Sequence, residues 1–292
     1  MIIFHDPACL EYSAPGHPER PERIRRTVPL LKDRHPTWEW REPQAATKEQ
    51  VSRAHSSEHI AHVKNPKSDF DPDTPAYPNI YEHALRSAGA GTNVAHTALA
   101  GEPSFALMRP PGHHSTRDRA MGFCFFSNIA IAALDALENG AERVAILDFD
   151  AHHGNGTQEL FRGRCDVRTA SVHVDPGEGW FPHFLGFTDE NDESNLNVPV
   201  APASGDEPWL AAVREVGAFA AGARALVVAL GVDAATADPE SPLAVTHDGY
   251  GEAGRILGGL DVPTVVVQEG GYDLGTIGDL VVATLGGLVA SD

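Results

Sequence analysis

Short apolar segments rich in β-branched residues recur along the chain and alternate with helix-length stretches. Six of these segments are predicted to be buried strands: residues 1–5, 104–109, 143–150, 167–174, 225–233 and 262–270. Five other stretches have helical character: residues 79–99, 126–138, 206–222, 247–259 and 275–289. Strands that are apolar throughout and alternate with helices are typical of a parallel sheet with helices on both faces. The pattern therefore predicts an α/β fold.

The organisation of the chain favours one domain. Its 292 residues contain no internal repeat, no low-complexity linker and no break in composition, so we expect a single domain over residues 1–292 with a mainly parallel sheet of about eight strands. Two polar, proline-containing segments, residues 64–78 and 175–195, are predicted to be loops. Both are long for a compact domain, and such loops commonly form lids or binding rims.

The charge of the chain limits the partners that it could bind. The net charge is −19, from 22 basic and 41 acidic residues. Such a surface repels nucleic acid and anionic membranes, and it attracts cationic ligands toward a cleft. Solubility alone is an equally simple explanation of the charge. We therefore expect no direct nucleic-acid binding.

Other sequence features indicate where the protein works. No apolar run is long enough to span a membrane, and the N-terminal segment MIIFHDPACLEY lacks the features of a secretory signal. Cys9, Cys124 and Cys165 are odd in number and widely spaced, which favours a reducing compartment and argues against a disulfide framework. We expect a cytoplasmic protein.

Polar residues beside glycine or proline follow four of the predicted strands. The segments are RPPGHH (109–114), DFDAHHG (148–154), GVDAATADPE (231–240) and QEGGYD (268–273). In open parallel sheets, ligands bind beyond the carboxyl ends of the strands. The four segments therefore predict a functional site at this edge of the sheet.

One of these segments has the composition of a metal site. Asp148, Asp150 and His152 are spaced two apart, so on an extended strand their side chains would point to the same side. Asp150 and His152 could supply two metal ligands, and Asp233 is the natural third. Zn²⁺ accepts nitrogen and oxygen ligands, and Fe²⁺ or Co²⁺ would also suit this set. A structural hydrogen-bond network is the alternative interpretation.

Three further side chains could perform chemistry at the same edge. His113 and His114 follow Pro-Pro-Gly, which excludes a regular helix and allows both rings to face one cavity. An imidazole can accept a proton from the attacking water and return it to a leaving group. Tyr272 follows two glycines, and its hydroxyl could stabilise an oxyanion. The alternatives are solvent-facing loop histidines and a tyrosine that only packs.

In combination, the motifs resemble the zinc-dependent histone deacetylase and acetylpolyamine amidohydrolase superfamily, which has an arginase-like α/β fold. The matching segments occur in family order over nearly the whole chain: HPERPERI (17–24), RPPGHH (109–114), GFCFFSNIAIAA (122–133), LDFDAHHGNGTQ (147–158), ASVH (170–173), GVDA (231–234) with Asp238-Pro239, and EGGYDLG (269–275). The resemblance implies hydrolysis of an amide between an acyl group, usually acetyl, and a primary amine.

The resemblance also implies residue roles. His114 would act as general base and then as general acid, and His113 would help position water and protonate the amine. Tyr272 would polarise the carbonyl and hold the oxyanion. The matching zinc ligands are Asp150, His152 and Asp233.

Two residues match supporting positions of the family. Asp148 would hold His113 and Asn155 would hold His114, and a neutral partner should leave His114 less basic. His153 is not expected to bind zinc. The family binds a structural K⁺ beside the active site, largely through backbone carbonyls, and the matching positions are Asp148, Asp150, His152, Ser171 and Val172.

The substrate is less tightly defined by the sequence. Gly122, Phe123 and Phe181 match the walls of the family's narrow channel, although the phenylalanines could simply pack in the core. Glu240 resembles the polyamine-deacetylase branch, in which a glutamate at the entrance pairs with a distant ammonium. Asp73, in the loop 64–78, is a second candidate rim residue.

Three hypotheses follow. The slightly favoured one is a deacetylase of acetylpolyamines or similar small cationic acetylated amines. The second is a protein acetyl-lysine deacetylase, and the third is a catalytically weak binding or regulatory protein. The sequence leaves the acyl chain length, the metal used in the cell and the oligomeric state open, including a possible homodimer.

Overall fold

Eight short strands pair in parallel throughout to form one sheet in the computed structural model, which describes residues 1–290. In chain order they are β1 (Ile2–Phe4), β2 (Glu39–Arg41), β3 (Ser104–Ala106), β4 (Val144–Asp148), β5 (Val167–Val174), β6 (Asn195–Val200), β7 (Ala225–Leu230) and β8 (Thr264–Gln268). Their order across the sheet is β2-β1-β3-β8-β7-β4-β5-β6. The predicted α/β class and the sheet of about eight strands are confirmed.

Nine α-helices in the described residues cover this sheet. They are α1 (Glu22–Arg34), α2 (Lys48–Ala54), α3 (Ser57–Lys64), α4 (Ile80–Leu99), α5 (Asn128–Glu138), α6 (Asn155–Phe161), α7 (Asp206–Phe219), α8 (His247–Gly258) and α9 (Ile277–Val289). Helices α2 to α6 pack against one another, with α4 and α5 on the central strands. Helices α7, α8, α9 and α1 pack in series as a second group, so both faces of the sheet are covered.

The central strands explain why polar chemistry is confined to one edge of the sheet. Every residue of β4 and β7 is buried, and the two strands pair along their length from Val144↔Ala225 to Asp148↔Ala229. Apolar side chains on both faces stabilise the sheet by their burial. The first polar side chain of β4 is Asp148, its last residue, so the ionisable groups collect beyond the carboxyl ends.

The predicted strand 143–150 is too long, which changes the geometry of the motif that follows it. Strand β4 ends at Asp148, so Asp150 and His152 lie in the turn beyond it and not on an extended strand. Asp148 Oδ1 accepts the Asp150 N–H at 3.0 Å, and Asp150 Oδ1 accepts the His152 N–H at 2.9 Å. These side-chain bonds to the backbone two residues on turn the chain.

Both edge strands were missed by the sequence patterns. Strand β2 is the charged tripeptide Glu-Trp-Arg, and β6 contains two asparagines and a proline. An edge strand is not enclosed on both sides, so it needs neither continuous apolar character nor every N–H. The predicted loop 175–195 therefore ends at the first residue of β6. It contains two 3₁₀ turns, Pro176–Glu178 and Thr188–Glu190.

Four helices were also absent from the prediction, namely α1, α2, α3 and α6. Three of them have only seven or eight residues, and α1 contains Pro29. Short helices show too few turns for a clear period in the sequence. Within residues 1–290, no helix combines the length and apolar character that a membrane span requires.

Candidate active site

Three side chains of the kinds that bind metal ions converge at the carboxyl ends of two adjacent strands, and we call them the triad. Asp150 and His152 lie in the turn after β4, and Asp233 lies just beyond β7. His152 Nδ1 is 3.0 Å from Asp150 Oδ1 and 3.0 Å from Asp233 Oδ2. Both carboxylates are buried, at 1% and 0% exposed. One imidazole and two carboxylates form a donor set that suits a divalent transition metal.

The surroundings of this triad fit a bound cation. His152 Nε2 is 3.0 Å from the Glu240 carbonyl oxygen, which can only accept a hydrogen bond, so Nε2 bears the proton. In the neutral ring of this tautomer, the Nδ1 lone pair is available to a cation that lies among the three groups, and such a cation would balance the charge of the two buried carboxylates. A Cβ at Gly270 would collide with carboxylate oxygens of Asp150 and Asp233, whereas its N–H donates to Asp150 Oδ2 at 2.7 Å.

Two adjacent histidine rings lie beside the triad, on the segment that follows β3. Their centroids are 3.9 Å apart. His113 Nδ1 contacts Asp148 Oδ2 at 2.9 Å, and His114 Nδ1 donates to Asn155 Oδ1 at 2.8 Å. The two rings are thus oriented by partners of different charge.

Burial and the neighbouring charges separate the pKa values of the two histidines. Burial alone would lower the pKa of His113, but the carboxylates of Asp148 and Asp150 raise it to about 10. Burial lowers the pKa of His114 well below its usual value, and the neighbouring His113 and His152 lower it further. One ring is therefore an imidazolium and the other a neutral base at neutral pH, which divides acid and base work between them.

Tyr272 lines the same pocket as His114 and His152. It is 8% exposed, and burial raises the pKa of its hydroxyl well above 10, so the hydroxyl remains a donor. The Arg23 guanidinium lies 4.7 Å from the centre of its ring. Arg23 also donates to the backbone carbonyls of Gly271, at 2.6 Å, and Glu269, which holds the segment before the tyrosine.

The pocket has a volume of about 300 Å³ and two aromatic walls. The ring of Phe181 is edge-on to His114 at 4.9 Å, and that of Phe123 is edge-on to Tyr272 at 5.8 Å. Gly122 lies between the walls with φ +56°, and a Cβ there would lie 2.6 Å from His114 Cδ2. Glycine is therefore required at this position.

The loop 64–78 fixes one of these walls. Phe123 has the left-handed φ of +69°, which is uncommon for a side chain of its size. Its N–H donates to Thr74 Oγ1 at 3.0 Å, and the Gly122 N–H donates to Asp71 Oδ2 at 3.1 Å. The loop is thus part of the site.

The rim combines the two predicted acidic residues with others that the sequence did not indicate. Asp73 and Glu240 both line the pocket mouth. His17 Nε2 bonds to the Asp73 carbonyl at 3.0 Å, and its ring packs edge-on against Phe123 at 4.8 Å. His17, Pro18 and Asp71 also line the pocket. The family resemblance includes the segment HPERPERI but implies no role for a residue within it.

The remaining predicted residues lie close behind the triad. Ser171 pairs with Asp148 across β4 and β5, and Val172 follows it in the strand. Ser171 Oγ contacts His173 Nδ1 at 2.8 Å. His153 packs on His173 at 4.7 Å and bonds to Gln158, away from the three metal-type ligands.

The fold and the site together define an α/β protein with a candidate metal centre flanked by two histidines and a tyrosine. A family model described as the histone deacetylase domain matches residues 17–288. The chain belongs to this family, which confirms the resemblance seen in the sequence. The family is metal-dependent, typically on zinc.

The chain is similar to individual proteins both in sequence and in structure. The chain is 41% identical to the acetylpolyamine amidohydrolase of Mycoplana ramosa over 216 residues, covering 70% of this chain but 62% of that relative, so it spans about three fifths of the relative's length. A crystal structure of acetylpolyamine aminohydrolase from Burkholderia pseudomallei superposes with a TM-score of 0.91 at 31% identity, covering 99% of both chains. The HDA15 HD domain also gives 0.91, at 32% identity, covering 100% of this chain and 91% of that one.

Proposed function

We propose that the protein is a zinc-dependent deacetylase that hydrolyses the amide of a small, cationic N-acetylated primary amine to acetate and the free amine. The observation on which this rests is that His114, His152 and Tyr272 line one pocket, while Asp150 and Asp233 lie directly against His152 and His113 lies against His114. The family and the acetylpolyamine amidohydrolase relatives support the same activity.

Asp150, His152 and Asp233 would hold the metal. Their ligand-type atoms all lie within 4.8 Å of one another. Zn²⁺, or Fe²⁺ or Co²⁺ in its place, would polarise the substrate carbonyl and lower the pKa of the attacking water. We also assign a structural K⁺ to the family positions behind this site: Asp148, Asp150, His152, Ser171 and Val172.

The two histidines would move the protons. His114, the neutral ring, takes a proton from the attacking water through Nε2, because its Nδ1 is engaged by Asn155. His113, the imidazolium held by Asp148, stabilises negative charge and supplies a proton to the departing amine. The protonated Tyr272 hydroxyl donates to the developing oxyanion.

The pocket walls would select the shape of the substrate. Phe123 and Phe181 line the pocket and would flank an unbranched aliphatic chain, and Gly122 leaves space for that chain beside His114. Apolar walls exclude water from the reacting amide, which strengthens each electrostatic interaction there.

Charge at the mouth favours a cationic amine. Glu240 and Asp73 line the rim of a protein whose net charge is −19. A carboxylate at the entrance would pair with the distal ammonium of an acetylated diamine or polyamine. The small substrate therefore fits better than a peptide.

A protein acetyl-lysine deacetylase is the second candidate. The observation that favours it is the similarity to the HDA15 HD domain over the whole chain. An exposed aromatic side chain at the mouth, Phe181 at 37% exposed, could also contact a peptide.

A substrate panel distinguishes the two candidates. Purified, metal-loaded protein is assayed for acetate release from N-acetylputrescine, N-acetylcadaverine, N-acetylspermidine and an acetyl-lysine peptide. We expect a higher kcat/KM for the acetylated polyamines, and a selective loss of that preference in Glu240→Leu. Faster turnover of the peptide would favour the second candidate, and an unchanged preference in Glu240→Leu would remove the rim glutamate from the account.

A further inference from the structure

One buried carboxylate joins the segment that bears the tyrosine to the segment that bears the rim glutamate. Asp238 Oδ2 accepts the Tyr272 N–H at 2.6 Å and the Asp273 N–H at 3.0 Å. Its Oδ1 accepts the Glu240 N–H at 3.0 Å. Asp238 is 7% exposed and is not among the residues that line the pocket.

The same connection continues to the metal-type ligands. The Glu240 carbonyl accepts the Nε2–H of His152 at 3.0 Å. Asp238 therefore links the backbone N–H of Tyr272 to the backbone N–H of Glu240, and the carbonyl of Glu240 in turn accepts a hydrogen bond from the His152 ring. A carboxylate that receives three backbone N–H groups is strongly held, because bonds to a charged acceptor are stronger than neutral ones.

We propose that Asp238 is a positioning residue that fixes the backbone of Tyr272 relative to the Glu240 segment, so that the tyrosine hydroxyl is aimed at the reacting carbonyl. This inference rests on the proposed function. Gly270 and Gly271 precede Tyr272, and Gly271 has φ +119°, so the segment has little conformational restriction of its own. External bonds must supply the precision that an oxyanion donor requires.

A double-mutant cycle tests this role. Asp238→Asn removes the charge and turns an amide N–H₂ toward at least one backbone N–H. We expect kcat on the best acetylated amine to fall about 10- to 100-fold, with a smaller change in KM. In the Tyr272→Phe background the same substitution should lower kcat less than about 3-fold, because the hydroxyl that it positions is already absent.

A matched control separates positioning from general stabilisation. Asp206 accepts the Thr246 N–H and the Thr246 hydroxyl, each at 2.7 Å, and thereby holds the backbone where α8 begins, away from the pocket. Asp206→Asn should leave kcat within about 2-fold of the wild type, as expected for a site outside the coupled network. An equal loss of kcat in Asp206→Asn and in Asp238→Asn would overturn the proposal. So would an equal loss for Asp238→Asn in the wild-type and Tyr272→Phe backgrounds.

Two further readouts are independent of turnover. Asp238→Asn should retain the metal content of the wild type; loss of metal would show that the residue acts through His152 instead. Hydrogen–deuterium exchange of the wild type should show protected amides at Tyr272, Asp273 and Glu240, with faster exchange in the variant. Rapid exchange of all three in the wild type would contradict the proposal even if Asp238→Asn failed to fold. A wild type inactive on every acetylated amine would instead remove the proposed function.

Discussion

Asn155 Oδ1 accepts a hydrogen bond from His114 Nδ1 at 2.8 Å, whereas the adjacent His113 bonds to the carboxylate of Asp148 at 2.9 Å. Burial and the neighbouring His113 and His152 lower the pKa of His114, and the neutral amide of Asn155 brings no charge that would offset them, whereas the Asp148 carboxylate raises the pKa of His113. Burial therefore leaves His114 as the neutral base, and the charge of the partner residue decides whether that effect is offset.

Exchanging the amide for a carboxylate should therefore shift the pH profile. In Asn155→Asp, the carboxylate favours the protonated form of His114 and raises its pKa, so less neutral base is present at a given pH. We expect the acidic limb of kcat/KM against pH to move upward by about one unit or more. Asn93→Asp, on α4 and remote from the pocket, is the control and should leave the limb in place. An unmoved limb in Asn155→Asp would contradict the role given to His114.

Metal removal should lower stability as well as activity. Asp150 and Asp233 are buried carboxylates that lie close to each other and to His152. A cation that binds there binds the folded state and not the unfolded state, so it stabilises the fold. A chelator should lower Tm, and added Zn²⁺ should restore it. In Asp233→Asn the difference in Tm between metal-loaded and chelated protein should largely disappear. The same Tm with and without chelator in the wild type would argue against a metal at this site.

Breaking a buried ion pair near Tyr272 should lower the free energy of unfolding more than breaking an exposed ion pair. Glu19 pairs with Arg109 and, at 3.2 Å, with Arg23, and its side chain is 2% exposed. Glu19→Gln leaves buried arginines without a charge partner, which costs about 3–5 kcal/mol. Glu22→Gln, which removes an exposed pair with Arg25, should cost less than about 1 kcal/mol. Urea unfolding measures the loss of unfolding free energy in both variants. Similar losses would contradict the larger contribution given to the buried pair.

How much of this arrangement the sequence could predict depends on how each residue acts. Asp150, His152 and Asp233 act through side chains at strand ends, so residue type and spacing were sufficient to nominate them. Asp238 acts through the N–H groups of residues distant in the chain, and no pattern in the sequence shows such a partner. Strand β6 was missed because its asparagines point to the polar side chain of Gln158. Its polar residues satisfy interior bonds that a hydropathy pattern does not reveal.

A buried histidine away from the site should make the fold sensitive to acid. His55 Nδ1–H donates to the Thr116 carbonyl at 2.9 Å, and its Nε2 accepts the Ser127 N–H at 2.9 Å, so only the neutral ring satisfies both partners. Burial lowers the pKa of His55 to about 3. The unfolded chain takes up this proton near pH 6.5 and the folded chain only near pH 3, so stability falls as pH decreases between these values.

Replacing this ring should weaken the acid dependence. His55→Gln retains a donor and an acceptor but takes up no proton, so the decline in unfolding free energy between pH 6.5 and 4 should be shallower than in the wild type. Each unit of pKa difference corresponds to about 1.4 kcal/mol. His62→Gln, at an exposed position on α3, is the matched control. A slope as steep in His55→Gln as in the wild type would exclude His55 as a source of the acid sensitivity.

The most direct test of the account is acetate release from N-acetylputrescine by zinc-loaded wild type, His114→Ala and Asp233→Ala, with folding verified by circular dichroism. We predict steady turnover by the wild type and a loss of about 10³-fold or more in each variant, since each lacks a group that acts on the reacting atoms. Near-normal amide hydrolysis by either folded variant would contradict the proposed mechanism.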